Sequence, residues 1–109
     1  MWMNNSDIHG RTRVVFDLEF LGDITKDPLS CNIWEIGAVC ADTQLTYSAT
    51  VMPCMSPEQI DAAFDNGKCV THNMLVDMNA RPLSTVLVEF MKWLNYNSKT
   101  TGKKGIMLI

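Results

Sequence analysis

The segment "RVVFDLEFLG", residues 13–22, places two acidic side chains inside an otherwise apolar stretch with the composition of a β-strand. Side chains of a strand alternate between its faces, so Asp17 and Glu19 share one face, with Cα atoms about 6.6 Å apart. Like charges at this distance repel each other, and burial adds a desolvation cost. The chain must therefore keep this face in water or place a cation, such as a divalent metal, between the two acids.

Two further strands are predicted downstream. The segments "CNIWEIGAVCA" (31–41) and "LTYSATVMP" (45–53) are rich in apolar and β-branched residues, and the short "ADTQ" between them suits a hairpin turn. Together with a first strand at 12–21, they predict an antiparallel meander. Residues 1–11 are polar and lack periodicity, and we interpret them as a flexible leader.

Two helices are predicted after the strands. Ser56, Pro57 and Gln59 form a capping pattern, and Gly67 is the expected stop of this helix, with Ile60, Ala63 and Phe64 on its apolar face. The second helix begins after Pro82 and is predicted to bury one stripe of side chains. The stripe consists of Leu83, Val86, Leu87, Phe90, Met91 and Leu94.

The last residues complete an α/β pattern. "NSKTTGKK" (97–104) is polar and basic and is predicted to be a loop, and "GIMLI" (105–109) reads as the start of a buried strand. Strands followed by helices and another strand predict a mixed sheet with flanking helices in one domain, residues 12–109.

Composition narrows the functional classes. The net charge of −3 gives no basic field for bulk binding of phosphate groups, so contact with nucleic acid would have to be local or through metal. The sequence has no long apolar run and no secretory leader, which predicts an intracellular protein without a membrane partner. The four cysteines form no CxxC pair, which argues against structural zinc and favours reduced thiols.

Several segments together resemble a known family. "VVFDLEF", "IWEIGAV", "CVTHNML" and "RPLSTVLVEFMKWL" occur in the order seen in DEDD-type 3′–5′ exonucleases, and the resemblance covers about residues 13–109. It implies a ribonuclease H-like fold and two divalent cations, Mg²⁺ or Mn²⁺, that act on the 3′ end of DNA or RNA. Asp17 would bridge both metals and Glu19 would bind the metal that carries the attacking water, while Leu18 and Phe20 would contact the base.

The family's later acidic motifs have no clear match in the chain. The resemblance therefore implies an N-terminal part of such a domain, truncated and inactive by itself, with its remaining ligands beyond Ile109. The segment "THNMLVD", with His72, Asn73 and Asp77, resembles the second acidic motif of this family, but no buried strand is predicted before it. We favour a turn at this segment and keep the motif as the alternative.

Other interpretations remain open. A noncatalytic nucleic-acid-binding or scaffold domain is one, and a structural protein with acids on its surface is another. Glu35 is interpreted as an exposed strand position, and Trp34 and Trp93 as packing residues. An open reading frame past the Ile109 codon with the missing acids would favour the nuclease, whereas a stop codon would favour the scaffold.

Overall fold

The computed structural model describes residues 10–22, 32–63 and 70–109. Its elements confirm the α/β class. In chain order they are β1 (Thr12–Phe20), β2 (Ile33–Cys40), β3 (Thr46–Met52), α1 (Pro57–Ala62), α2 (His72–Asp77), β4 (Arg81–Pro82), α3 (Leu83–Thr101) and β5 (Ile106–Leu108).

The five strands form one mixed sheet in the order β4-β3-β2-β1-β5. The predicted meander is confirmed, because β1 pairs antiparallel with β2, and β2 with β3. The predicted C-terminal strand is also present and runs parallel to β1 at the sheet edge. The two-residue strand β4 was not predicted, and it lies parallel to β3 at the other edge.

One face of the sheet is buried under α3. Val86 of α3 packs with residues of β2 and β3, and Phe90 packs with Val14 of β1. The rings of Tyr47, Phe90 and Trp93 lie 5.3–5.9 Å apart, centroid to centroid. Contact between strands and one apolar helix stripe therefore supplies most of the core on this side.

The predicted buried stripe of α3 is only partly confirmed. Val86 and Phe90 are buried, whereas Leu87 is 42% exposed and Met91 is 61% exposed. Successive residues of an α-helix are about 100° apart around its axis. Leu87 and Met91 each follow a residue that points into the sheet, so they lie on the flank of α3, where the sheet does not cover them.

The predicted loop at 97–104 is wrong over its first half, because α3 continues to Thr101. Asn97 is fully buried, its amide nitrogen donates to the Trp93 carbonyl at 2.8 Å, and its amide oxygen accepts from the Thr43 hydroxyl. The helix ends at Gly102, which adopts the left-handed conformation with φ 70°. The helix thus continues through a segment whose polarity predicted a loop, and the polar Asn97 side chain is buried and hydrogen-bonded within it.

A partly buried ion cluster joins three distant segments. Asp42, in the β2–β3 turn, accepts hydrogen bonds from the Arg13 backbone and guanidinium at 2.8 Å each. Lys103, just after α3, donates to the same carboxylate at 3.0 Å, and the Asp42 side chain is only 9% exposed. The hydrogen bond from Arg13 is the main cause that holds the pKa of Asp42 far below its usual value.

A second polar cluster lies on the surface. The Arg81 guanidinium of β4 donates two hydrogen bonds to the Glu89 carboxylate in a bidentate pair, at 2.7 and 2.8 Å. The Tyr47 hydroxyl donates to the same carboxylate at 2.8 Å. The hydrogen bond from Arg81 lowers the pKa of Glu89 to about 2, and burial raises the pKa of Tyr47 to about 12. These contacts tie β3 and β4 to α3.

Helix α1 begins as predicted, with the reciprocal capping bonds of Ser56 and Gln59 present. Its last residue is Ala62; the expected face residue Phe64 and the expected stop Gly67 lie outside the described residues. The predicted leader, residues 1–11, also falls outside them except for its last two positions.

The predicted turn at His72 is wrong, because residues His72–Asp77 form the short helix α2. Thr71 caps it through a bond from the Met74 N–H to its hydroxyl, and Leu75 packs in a cluster with Leu21 and Ile60. Trp34 lies against this cluster, and Trp93 against the core under α3, so the predicted packing roles of both tryptophans are confirmed. In the described part of the chain, no helix is long and apolar enough to span a membrane.

We expect Phe90→Ala to lower the free energy of unfolding by about 3–5 kcal/mol, because it leaves a cavity between α3 and the sheet. Urea unfolding at pH 7 measures the change. Met91→Ala, on the exposed flank of the same helix, is the matched control and should change stability far less. Equal effects of the two substitutions would contradict the packing described for α3.

We expect Asp42→Asn to destabilise the fold at neutral pH, because the amide leaves Arg13 and Lys103 without their anionic partner. The folded-state pKa of Asp42 is depressed, so its stabilisation is present above the usual pKa of 3.8 and is lost as the pH falls. The gap in unfolding free energy between wild type and variant should therefore shrink at acid pH. Urea unfolding between pH 7 and pH 2 would measure it, with Asp77→Asn on the exposed end of α2 as control.

Candidate functional site

Asp17 and Glu19 lie on one face of β1, as predicted. Their cross-strand partners in β2 are Gly37 and Glu35 respectively, and the regular pairing runs from Val14 to Glu19 before it shifts. Asp17 is exposed and Glu19 is half-buried. The intervening Leu18 points to the opposite face and packs against the core under α3, so the alternation of the strand separates acids from core.

Glu35 is a third carboxylate on the same face. Residues directly opposite each other in an antiparallel pair share a face, and Glu35 is opposite Glu19. Glu35 is half-buried rather than the exposed strand position that we predicted. The segment between the end of β1 and the start of β2 has too many residues for a tight turn to define the register, so the sequence carried no signal for this pairing.

The acid-bearing face has a regular lateral order. Asp17, Gly37 and Ser48 form one row across β1, β2 and β3, and Glu19, Glu35 and Thr50 form the next. The row on the other side of Asp17 consists of Val15, Val39 and Thr46, all of which are exposed. Acids and small hydroxyl side chains thus share an accessible surface on the side of the sheet away from α3.

The two predicted base contacts lie elsewhere. Leu18 and Phe20 are half-buried and pack against the cluster of Ile33, Ile36, Ala49, Val51 and Val86. Phe20 follows the shift in register and is opposite Ile33. The structure brings both residues to the core rather than to the acids, and their contact with a base stays a prediction.

The alternative motif on α2 does not join the acids of β1. The His72 backbone donates to the Asp61 carboxylate at 2.8 Å, which links α2 to α1, and both Asn73 and Asp77 are exposed. Among residues 10–22, 32–63 and 70–109, no group of three or more His, Cys, Asp or Glu side chains is arranged to hold a metal ion. Asp77 therefore completes no metal site with Asp17 and Glu19.

The donor chemistry of the acid-bearing face fits a hard divalent cation. Carboxylate oxygens are the ligands that Mg²⁺ and Mn²⁺ prefer, and the exposed Asp17 is open to solvent. Asp17 and Glu19 are the residues that would hold the metal. Because no group of three or more His, Cys, Asp or Glu side chains that could hold a metal occurs in the described residues, Asp17 and Glu19 supply only part of a coordination shell.

A cavity of about 600 Å³ lies away from these acids, along α3. Its lining residues are Ser84, Thr85, Val88, Glu89 and Lys92. All of them belong to one helix, and Glu89 is already engaged by Arg81 and Tyr47. Because the described lining comes from one helix and adds no second acid to the engaged Glu89, the acids of β1 remain the candidate site.

Comparison with known protein families gives no matching family model, and comparison with curated proteins likewise gives no match.

Proposed function

We propose that this chain supplies the first metal-binding motif of a metal-dependent 3′–5′ exonuclease with a ribonuclease H-like fold. The reaction would hydrolyse DNA or RNA to nucleoside 5′-monophosphates. The observation that carries the proposal is the placement of Asp17 and Glu19 on one face of β1, flanked by antiparallel β2 and parallel β5. The sequence resemblance to DEDD-type exonucleases supports it.

In this proposal Asp17 and Glu19 would hold divalent cations through their carboxylate oxygens. The chemistry that such ions would supply when bound is activation of a water and stabilisation of charge on the phosphate. The chain's own contribution is to fix two oxygen donors on a strand that is paired with β2 at both positions, which limits their movement. The exposure of Asp17 leaves its carboxylate accessible to a nucleic-acid end.

A noncatalytic nucleic-acid-binding or scaffold domain is the second candidate. The observation that favours it is that, within the described residues, no group of three or more His, Cys, Asp or Glu side chains is arranged to hold a metal ion. Two carboxylates leave most of the coordination shell to water, so the metal would bind weakly. The two candidates differ in whether neutralising Asp17 removes metal binding and activity.

We expect Asp17→Asn to leave the free energy of unfolding within about 0.5 kcal/mol of wild type, or to raise it, when metal is absent. The substitution removes one of three carboxylates from the same sheet face and so reduces like-charge repulsion. Thermal melts in EDTA measure the effect. Marked destabilisation would mean that Asp17 is a structural acid and would contradict the proposed role.

We expect substoichiometric Mn²⁺ to broaden the backbone amide NMR signals around Asp17 and Glu19 selectively, because a paramagnetic ion relaxes nuclei close to it. Asp17→Asn should abolish the selective broadening, whereas Asp77→Asn should leave it intact. Uniform or absent broadening in the wild-type chain would refute the metal site.

A longer protein that contains this chain with the second and third acidic motifs should release mononucleotides from a 3′-labelled oligonucleotide in Mn²⁺. Asp17→Asn should abolish that release, because an amide cannot supply the anionic oxygen that a bridging position needs. Full activity of the variant would exclude Asp17 as a catalytic residue.

A further inference from the structure

Four basic side chains lie together at the end of the sheet where β1 and β5 begin. The two strands are parallel neighbours, with Thr12 paired to Ile106, and the Thr12 backbone N–H donates to the Gly105 carbonyl at 3.0 Å. This pairing brings residues 11–13 beside residues 103–105. We call their basic side chains the basic end of the sheet: Arg11, Arg13, Lys103 and Lys104.

One carboxylate holds two of these cations in place. The Arg13 guanidinium donates to Asp42 Oδ1 at 2.8 Å, and Lys103 Nζ donates to the same oxygen at 3.0 Å. The Asp42 side chain is 9% exposed, whereas those of Arg13 and Lys103 are 31% and 30% exposed. A guanidinium carries five N–H donors, so Arg13 keeps donors beyond the one bonded to Asp42. The anion therefore lies beneath two cations that remain accessible.

The other two cations, Arg11 and Lys104, are exposed. Among the described residues, no carboxylate forms an ion pair with either of them. Four cations and one carboxylate leave a net formal charge of +3 at the basic end, in a chain whose total charge is −3. Positive charge is thus concentrated at one place on a chain that is acidic as a whole.

Stabilisation of α3 does not account for the whole cluster. Cations near the C-terminus of a helix interact favourably with its dipole, which gives Lys103 a structural role just after Gly102. Arg11 precedes β1 and Lys104 lies beyond the last turn of α3, so neither gains from this effect. Like charges held close together repel each other, and an anionic ligand would relieve that repulsion.

The basic end and the acids share one face of β1. Side chains of a strand alternate, so Arg11 and Arg13 fall on the same face as Asp17. Four residues separate Arg13 from Asp17, a distance of about 13 Å along the strand. A stacked nucleic-acid strand covers this distance with about four nucleotides. A strand with one end at Asp17 is therefore long enough to pass over the basic end.

We propose that the basic end binds the phosphate backbone of a single-stranded nucleic acid, about four nucleotides away from the acids of β1. Nucleic acid as the polyanion rests on the function proposed above, whereas the basic surface itself requires neither a metal nor Asp17. Phosphate contacts from Lys and Arg position a strand without reading its sequence. The net charge excludes bulk binding of phosphate groups, and the basic end supplies a local contact instead.

The experiment measures binding of a fluorescein-labelled oligothymidylate of about twelve nucleotides to the 109-residue chain by fluorescence anisotropy. All titrations contain EDTA, so that no metal contributes. The variants are Arg11→Gln, Lys104→Gln and the two combined, which leave the bonds to Asp42 intact. Lys92→Gln is the matched control, because it removes the same charge from an exposed position along α3. Thermal melts check the folding of every variant.

We expect the wild-type affinity to fall about twentyfold between about 50 and 200 mM salt, the dependence of about three phosphate contacts to a single strand. The combined variant should lose only about threefold over that range, because about one contact remains. At the lower salt concentration it should bind about tenfold or more weakly than wild type. Lys92→Gln should bind like wild type.

Equal weakening by Lys92→Gln and by the combined variant would overturn the inference, because binding would then follow total charge alone. Absence of wild-type binding at the lower salt concentration would also overturn it, and would leave the metal site to the Mn²⁺ experiment. If the combined variant does not fold, an affinity of Lys104→Gln equal to that of wild type would have the same meaning. Binding to anionic phospholipid vesicles but not to the oligonucleotide would assign a membrane surface instead.

Asp17→Asn separates this surface from the exonuclease function. In EDTA the variant should bind the oligonucleotide at least as tightly as wild type, because the substitution removes a negative charge and no cation. Weaker binding would place the strand on the acids rather than on the basic end and would overturn the inference. Full nuclease activity of Asp17→Asn in the longer protein would overturn the exonuclease proposal and leave the basic end standing.

Discussion

The burial of one sheet face under α3 is the interaction on which the rest of the structure depends. Val86 and Phe90 contribute the helix side of this contact, and Val14, Ala38 and Val51 are among the strand residues that meet it. Because side chains of a strand alternate, the same contact directs Asp17 and Glu19 away from the core. Asp17 is thus exposed to solvent, and Glu19 is half-buried.

Polar contacts hold the C-terminal end of α3 against the β2–β3 turn and the start of β1. Asp42 joins β1, the β2–β3 turn and the segment after α3 through Arg13 and Lys103. The buried side chain of Asn97 ties α3 to the same turn through Thr43. Apolar packing is nondirectional, whereas these bonds are satisfied only in one arrangement, so they set how far α3 extends and where it lies along the sheet.

The sheet face that carries Asp17 and Glu19 combines clustered carboxylates with a strand glycine, which are features that lower folding stability and that also occur in binding sites. Three carboxylates, Asp17, Glu19 and Glu35, share one face, and a glycine interrupts β2 beside the first of them. Carboxylates on one face repel each other, and a strand glycine is less stable than alanine. Carboxylate oxygens are also the ligands that a hard divalent cation prefers, which supports the proposal that this face meets a metal ion.

The sequence by itself determined the local features of the protein. The apolar alternation around Asp17 and Glu19 predicted β1 and the shared face, and the Ser56 capping pattern predicted the start of α1, because both depend on residues close in the chain. The ribonuclease H-like fold and the roles of the site residues remain predictions.

Only the tertiary structure decided that Glu35 lies opposite Glu19, that Gly37 lies beside Asp17, and that Leu87 and Met91 stay exposed. It also decided that α3 continues through Asn97 and that His72 begins a helix. The physical reason is that both the register of strands separated by many residues and the area that a sheet covers on a helix depend on contacts between residues far apart in sequence.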